Sequence, residues 1–331
     1  MKKITIPALL IFCIGAVFAA TVSAKTQLNY ANFFPPTHIQ SQLAESWCKE
    51  VETRTGGEVV IKYFPADTLT KAPQTYDSVV QGVADIGMTV LAYSRGRFPV
   101  ASAIDLPMGY SSGVQATGVA NAVLEKFDPA EFHDTALMFL HAHGPGLIHT
   151  RDKAVATLED LKGLKIRSTG TSGLVMEALG ASPVGKAMNE TYQMLQKGVV
   201  DGSVHPAEAN KGWKLGEVVK YQTQNFSTAY TTAFAVFMNK EKWAALTPEQ
   251  QKVIKEINAE WALKHGVAWD EADKAGMEFF ASKGGKVLTL TDDQSKRWAA
   301  AVEPVINGYI KGAAEKGIDG KAVVEFIKTK M

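Results

Sequence analysis

An α/β fold of parallel strands joined by crossover helices is the expectation, and three features of the 331 residues carry it. Short strand, polar turn and helix alternate between Leu158 and Pro206. A similar alternation runs upstream from Gln27 to Val90. A helical pattern of over thirty residues starts at Thr247 and passes without a break, longer than an ordinary globular helix. Repetition of strand, turn and helix is what a parallel sheet requires, because each parallel pair needs a crossover to return the chain to the same edge.

Residues 1–24 read as a secretory leader. Lys2 and Lys3 precede an apolar run from Ile4 to Ala20, and Val22-Ser23-Ala24 offers a small-residue cleavage site. A retained membrane anchor is the competing reading, and a lipid anchor on Cys13 is disfavoured by the bulky Phe12 before it. Removing Lys2 and Lys3 takes the formal charge from +1 to about −1. A balance so near neutrality gives no electrostatic footprint for nucleic acid. One cysteine then remains, Cys48, so no internal disulfide is available, and its helix-like surroundings (42–51) mark it as a small buried hydrophobe. No second apolar run is long enough to span a bilayer, so the mature protein is expected to be soluble.

Residues 25–150 form a first α/β unit. Gln27–Asn32 is a strand, followed by Phe33, Phe34, two prolines, Thr37 and His38. Ile39–Thr55 has helical spacing and stops at Gly56-Gly57. Glu58–Phe64 alternates as a strand, Pro65–Lys71 turns into a helix that reaches Gln81, and Ala84–Val90 is a short buried strand. His141, His143 and His149 raise the question of a metal, since an H-x-H pair on a strand puts two rings on one face. No carboxylate or cysteine at ligand spacing completes such a site, and cleft-lining or packing roles suit these rings better.

The second unit starts with a helical turn at Leu158–Leu161, for which Thr157 offers a cap. Leu164–Arg167 is a strand, and Ser168–Gly173 is a polar, glycine-rich turn. A helix runs from Leu174 to Leu179 and ends at Gly180. Ser182-Pro183-Val184 leads to another strand, and Asn189 caps a helix stopped at Gly198. Arg167 is the chemical centre of this stretch. It stands where a strand ends and a loop opens toward a helix, the edge at which open α/β sheets bind ligands. Its planar guanidinium can hold a carboxylate or phosphate through two parallel bonds, whereas an exposed arginine needs no such role.

The C-terminal third continues with Ala233–Met238, apolar throughout as a buried strand should be. Glu241–Leu246 is a short helix. Thr247-Pro248-Glu249-Gln250 then opens the long helix, with Thr as cap and Pro at the first position. The aromatic stripe of that helix (Trp261, Trp269, Phe279) reads as packing. Lys286–Leu290 is a strand, and Gln294–Glu315 (with Pro304 inside) and Lys321–Lys330 are helices.

The runs L-K-G-L-K-I-R ending at Arg167, A-L-G-A-S-P-V ending at Val184 and E-T-Y-Q-M-L-Q-K-G-V-V-D-G ending at Gly202 resemble the signature of TRAP-transporter solute receptors of the DctP type. The resemblance implies a two-lobed α/β fold like that of periplasmic binding proteins (a Venus flytrap). Its lobes are discontinuous: 25–145 with 235–272, and 146–234 with 273–331. The long helix lies across both. It implies a periplasmic receptor that closes on an organic acid through an Arg167–carboxylate contact and delivers it to TRAP membrane permease subunits. A sensory partner in place of the permease is the alternative. No cofactor, metal or catalytic residue is implied. No nucleotide motif occurs, and a secreted hydrolase is the rival from another class, although Ser172 lacks the G-x-S-x-G elbow.

The resemblance also implies where the ligand touches. Contacts fall in loops after strands, near Phe33, Phe34, His38, Gln74, Thr89 and Tyr93. The position of a second cleft arginine in many relatives falls on Gly146 here, which weakens a dicarboxylate assignment. His205 stands where many relatives have an asparagine whose amide bonds the ligand. Met188 matches an apolar or aromatic position, and Phe226 and Tyr230 are candidates for a ring wall. One arginine, a histidine and several aromatics suit a monocarboxylate with an apolar or aromatic body. A small hydroxy or keto acid is the other possibility.

Overall fold

A computed structural model describes residues 25–331. The leader, its cleavage site and Cys13 lie outside the described residues. The chain begins with β1 (Thr26–Asn32), α1 (Ile39–Arg54), β2 (Val59–Phe64), α2 (Thr75–Val80), β3 (Ile86–Val90), α3 (Gly113–Phe127) and β4 (Thr135–Ala142). It continues through β5 (Gly146–Thr150), α4 (Leu158–Leu161), β6 (Lys165–Ser168), α5 (Gly170–Ala178), β7 (Ser182–Gly185), α6 (Thr191–Gln196), β8 (Gly202–Pro206), α7 (Ala209–Gly212) and β9 (Tyr221–Gln224). It ends with β10 (Ala233–Asn239), α8 (Lys240–Ala244), α9 (Pro248–Ser282), β11 (Lys286–Thr289), α10 (Asp292–Ala314) and α11 (Gly320–Lys328).

These strands make two sheets. The first has the order β2-β1-β3-β10-β4, with β1, β2 and β3 parallel and β10 antiparallel to both its neighbours. The second has the order β11-β9-β5-β8-β6-β7. In it β6 is parallel to β7 and β8, while β5 is antiparallel to β8 and β9. β10 is buried at every position, which accounts for its unbroken apolar run. β7 carries Pro183 and lies at the sheet's edge, where a missing N–H costs no ladder bond. The chain passes from the first sheet to the second between β4 and β5, and returns between β9 and β10.

The long helix α9 has 35 residues, about 52 Å at 1.5 Å per residue. Thr247 and Gln250 form a capping box at its start, and Pro248 occupies the first turn. It packs on α1, α3 and β4 from the first sheet's side and on α7 from the second's. Gly276 permits the close approach to the second side. A Cβ there would lie 2.1 Å from the Ala207 carbonyl oxygen.

Three local readings change. Asn189, expected to cap the helix that stops at Gly198, lies inside a 3-10 turn (Met188–Glu190), and its amide donates to Asp67 Oδ2 at 2.6 Å instead. The polar run expected as a loop from Ser168 to Gly173 is largely the first turn of α5. Thr169 and Ser172 form a capping box that satisfies the free N–H groups there. Conversely, the helix expected to reach Gln81 from the Pro65–Lys71 turn is shorter and starts at Thr75. Before it the backbone turns through left-handed Ala66 and Asp67. Cys48 is buried in α1 as a free thiol, among Trp47, Val51 and their neighbours.

Candidate functional site

Arg167 sits in β6 in register with Val184 of β7 and Ser203 of β8. It is 5% exposed, and its Nε–H donates to the Lys186 carbonyl at 2.9 Å. None of the ion pairs among the described residues includes it. A buried cation without a counter-ion is costly, so the remaining N–H face is suited to an incoming anion.

The groups around that face respond to its charge. Burial raises the Tyr93 hydroxyl above its ordinary range, and the Arg167 charge pulls it back. The same opposition acts on Tyr230. Tyr93 accepts a hydrogen bond from the Met188 N–H at 3.0 Å, and Tyr230 donates to the Val204 carbonyl at 3.1 Å. Burial brings His143 down to about 4, with Arg167 pushing the same way. His205 falls well below its usual value through burial, then through His149 and Arg167. Both rings are therefore neutral near pH 7.

Neutrality fixes how the rings are used. His143 Nδ1 lies 2.6 Å from the Gly144 carbonyl and must carry the proton. His149 faces two acceptors, the Leu147 carbonyl 3.1 Å from Nδ1 and Gln222 Oε1 3.0 Å from Nε2, and the neutral ring donates to one of them. His205 stacks on His149 at 3.8 Å and places Nδ1 3.1 Å from Ser203 Oγ. Its Nε2 is buried without a hydrogen-bond partner among the described residues. His141 accepts from Trp269 Nε1–H at 3.0 Å and stacks between Phe234 and His265. Among the described residues, no three His, Cys, Asp or Glu side chains are grouped as a metal site.

These polar groups face an aromatic wall. Phe33 stacks on Phe34 at 4.5 Å, Trp213 lies 6.1 and 5.8 Å from them, and Phe234 stacks on Trp269 at 5.1 Å. Together they enclose a cavity of about 50 Å³ between the two sheets. The first sheet contributes Phe33, Phe34, Val90, Tyr93 and Phe234. The second contributes Arg167, Val204, His205 and Pro206, and α9 contributes Trp269.

Behind the wall, His38 caps α1 by accepting from the Gln40 N–H on Nδ1, and its Nε2 meets Glu208 Oε2 at 2.9 Å. Glu208 also lines the cavity. Its backbone N–H donates to Asp273 Oδ1 of α9 at 2.8 Å, and burial pushes Asp273 up to about 8.

Of the residues singled out in the sequence, Arg167, His205, Met188, Tyr230, Phe33, Phe34 and Tyr93 line this one cavity. His38 lies just outside it, stacked on Phe34 at 4.3 Å. Thr89 is buried and donates to the Ala72 carbonyl at 2.7 Å. Gln74 is exposed at the turn before α2, and Phe226 is 48% exposed in the turn after Asn225, so neither meets the cavity. Gly146 is buried in β5, and a Cβ there would lie 2.1 Å from the Tyr230 ring. That ring fills the space which an arginine at 146 would need. Sequence reasoning missed Glu208, Trp213 and Phe234 and assigned Trp269 to packing, while His143, read as cleft-lining or packing in preference to a metal ligand, lines the cavity.

Residues 30–312 match the family described as DctP, bacterial extracellular solute-binding protein, family 7. The structure is similar to a TRAP periplasmic solute-binding protein from Desulfovibrio salexigens, with 33% identity, a TM-score of 0.82, and 93% of this chain and 96% of that chain covered. It is similar to a marine metagenome TRAP solute-binding protein specific for aromatic acid ligands, solved with 3-hydroxybenzoate. Identity there is 31%, the TM-score 0.88, and 93% of this chain and 98% of that one are covered. A Rhodoferax ferrireducens TRAP solute-binding protein, solved with copurified benzoate, has 26% identity, a TM-score of 0.87 and coverage of 92% and 97%.

Proposed function

The chain belongs to bacterial extracellular solute-binding protein family 7, and from that premise we propose that it is a periplasmic TRAP receptor for a monocarboxylate with an aromatic body. The observation that carries this reading is Arg167, buried and without a carboxylate partner, at the edge of a cavity walled by Phe33, Phe34, Trp213, Phe234 and Trp269. The guanidinium takes the ligand carboxylate through two N–H bonds, and the rings take its apolar body. A second cationic side chain is missing from the wall, and Tyr230 occupies the space beside Gly146, which favours one carboxylate over two. Relatives solved with 3-hydroxybenzoate and benzoate support the aromatic body.

The lobes in this reading are 25–145 with 235–272 and 146–234 with 273–331, one around each sheet except that Ala233 and Phe234, the start of β10, already pair in the first sheet. Ligand between them makes contacts that exist only when they are closed, and so shifts the receptor toward the closed state. The closed state is the form handed to the membrane permease. The chain works as a carrier with no reaction of its own, in keeping with its family and fold.

A thermal-shift screen of the purified protein tests the reading. The panel contains aromatic monocarboxylates, aliphatic monocarboxylates, keto acids and dicarboxylates. Ligand at about a hundred times its dissociation constant adds about 2.7 kcal/mol, an easily read shift. Stabilisation confined to aromatic monocarboxylates is the expected result. Stabilisation by dicarboxylates instead overturns the single-anchor argument.

A further inference from the structure

Glu208 is a charged side chain in the cavity wall to which the reading above assigns no task. The polar groups of the cavity fall into two sets. Arg167 has Tyr93, Tyr230, His143 and His205 about it, the groups that its charge perturbs. Glu208 has His38, and His38 in turn lies near Phe34, Trp213 and Trp269. Strand register separates the two ends. Arg167 is level with Ser203, and β8 runs three residues further, about 10 Å, before Glu208 follows it. The space between them is mostly ring surface.

Hydrogen bonding defines what Glu208 still needs. His38 accepts from the Gln40 N–H on Nδ1, so its proton is on Nε2 and points at Glu208 Oε2. That satisfies one carboxylate oxygen. No hydrogen bond among the described residues reaches Oε1, and Glu208, only 3% exposed, borders both this cavity and the groove beside Lys211, Gly212 and Lys214. An acceptor placed against it would meet an unpaired, acceptor-only oxygen. A donor would form a charge-assisted bond in a nearly dry site.

Resting on the aromatic-acid reading, we infer that Glu208 selects ligands whose ring carries an O–H or N–H donor at the end remote from the carboxylate, as hydroxy- or amino-substituted aromatic acids do. Arg167 anchors the acid, the aromatic wall holds the ring, and Glu208 Oε1 accepts from the substituent. A site built to bond such a donor discriminates strongly against analogues that lack it, because the acceptor is then left buried and unpaired.

The test is calorimetric titration of the receptor with benzoate and with its 3- and 4-hydroxy, amino and fluoro derivatives. Fluorine is near the hydroxyl in size and has no proton to give. The expected result is that at least one hydroxy or amino acid binds about tenfold or more tightly than benzoate and than its fluoro counterpart. In Glu208→Gln, that preference shrinks to about threefold or less, because a neutral amide accepts more weakly. Affinities equal across the wild-type series overturn this inference and leave the aromatic-acid reading standing. No binding by any member overturns both. Should Glu208→Gln fail to fold, Glu208→Asp, which keeps the charge but draws it back by one methylene, takes its place, and an unchanged hydroxy-over-fluoro preference there overturns the inference.

Discussion

His38 Nε2 stands 2.9 Å from Glu208 Oε2, and the contact joins the segment after β1 to the segment after β8 across the space between the sheets. Both side chains are almost wholly buried, at 1% and 3% exposure. Removing the His38 donor leaves the buried Glu208 carboxylate without that hydrogen bond, which costs about 1–3 kcal/mol. His38→Ala also deletes the cap of α1, worth about another 1 kcal/mol. His38→Asn keeps a good cap while losing the Glu208 contact. Urea unfolding should rank wild type above His38→Asn, and His38→Asn above His38→Ala. Equal losses in the two variants would show that capping contributes nothing separable.

Arg167→Ala should weaken binding of the cognate acid by about a hundredfold or more, equivalent to about 2.7 kcal/mol. Arg167→Lys should recover little. Lysine offers a point charge in place of a planar fork and cannot reproduce the Nε–H bond to the Lys186 carbonyl. The ligand-free protein should melt no lower in Arg167→Ala, since that change removes a buried cation that lacks a counter-ion. Calorimetry with ligand and melting without it check the two halves separately. A fall in ligand-free melting temperature would make Arg167 a structural residue.

Gly146→Ala should destabilise the fold by about 1–3 kcal/mol, because its Cβ would meet the Tyr230 ring at 2.1 Å. Tyr230→Ala removes the ring and should recover part of that loss. The double-mutant cycle therefore predicts a favourable coupling between the two changes. Additive losses would place the strain elsewhere.

Sequence alone reached the anchor but only part of the wall around it. Arg167 was legible because strand, turn and helix follow one another within a few residues. Of the aromatic wall, Phe33 and Phe34 were reached through the resemblance, but Trp213, Phe234 and Trp269 were not, because they come from the segment after α7, from β10 and from the middle of α9. Trp269 had the same helical spacing as its core neighbours, so periodicity could not separate a cavity-facing ring from a packed one. Glu208 lay in a run with no pattern, and its contact with His38 spans 170 residues. Phe226 shows the opposite error. It is close to Tyr230 in sequence, but the turn after Asn225 sends the two rings in different directions. Only Tyr230 enters the cavity, and Phe226 is half exposed.

Buried titratable groups of opposite kinds should give the protein a stability maximum near pH 6.5. Burial brings His143 and His149 down to about 4 and His265 to about 3, and it holds His141 and His205 well below their ordinary value of 6.5. Between 6.5 and about 4 the unfolded chain binds protons at these five rings that the folded chain refuses. Their contribution is therefore complete above 6.5 and is lost as pH falls, at about 1.4 kcal/mol per pH unit per proton. Asp105 and Asp273, both raised by burial to about 8, act in the reverse sense. Their folded forms keep protons that the unfolded chain has released, so they cost stability progressively from 3.8 up to about 8. Glu131 and Asp67, also raised by burial, lean the same way. Below 6.5 five histidines outweigh the carboxyls, and stability rises with pH. Above 6.5 the histidine contribution is constant, and the two aspartates alone make stability fall until about pH 8. Urea midpoints measured from pH 4.5 to 8.5 should trace this peak. A maximum below pH 5 would mean that the carboxyls dominate and that the rings accept protons in the folded state.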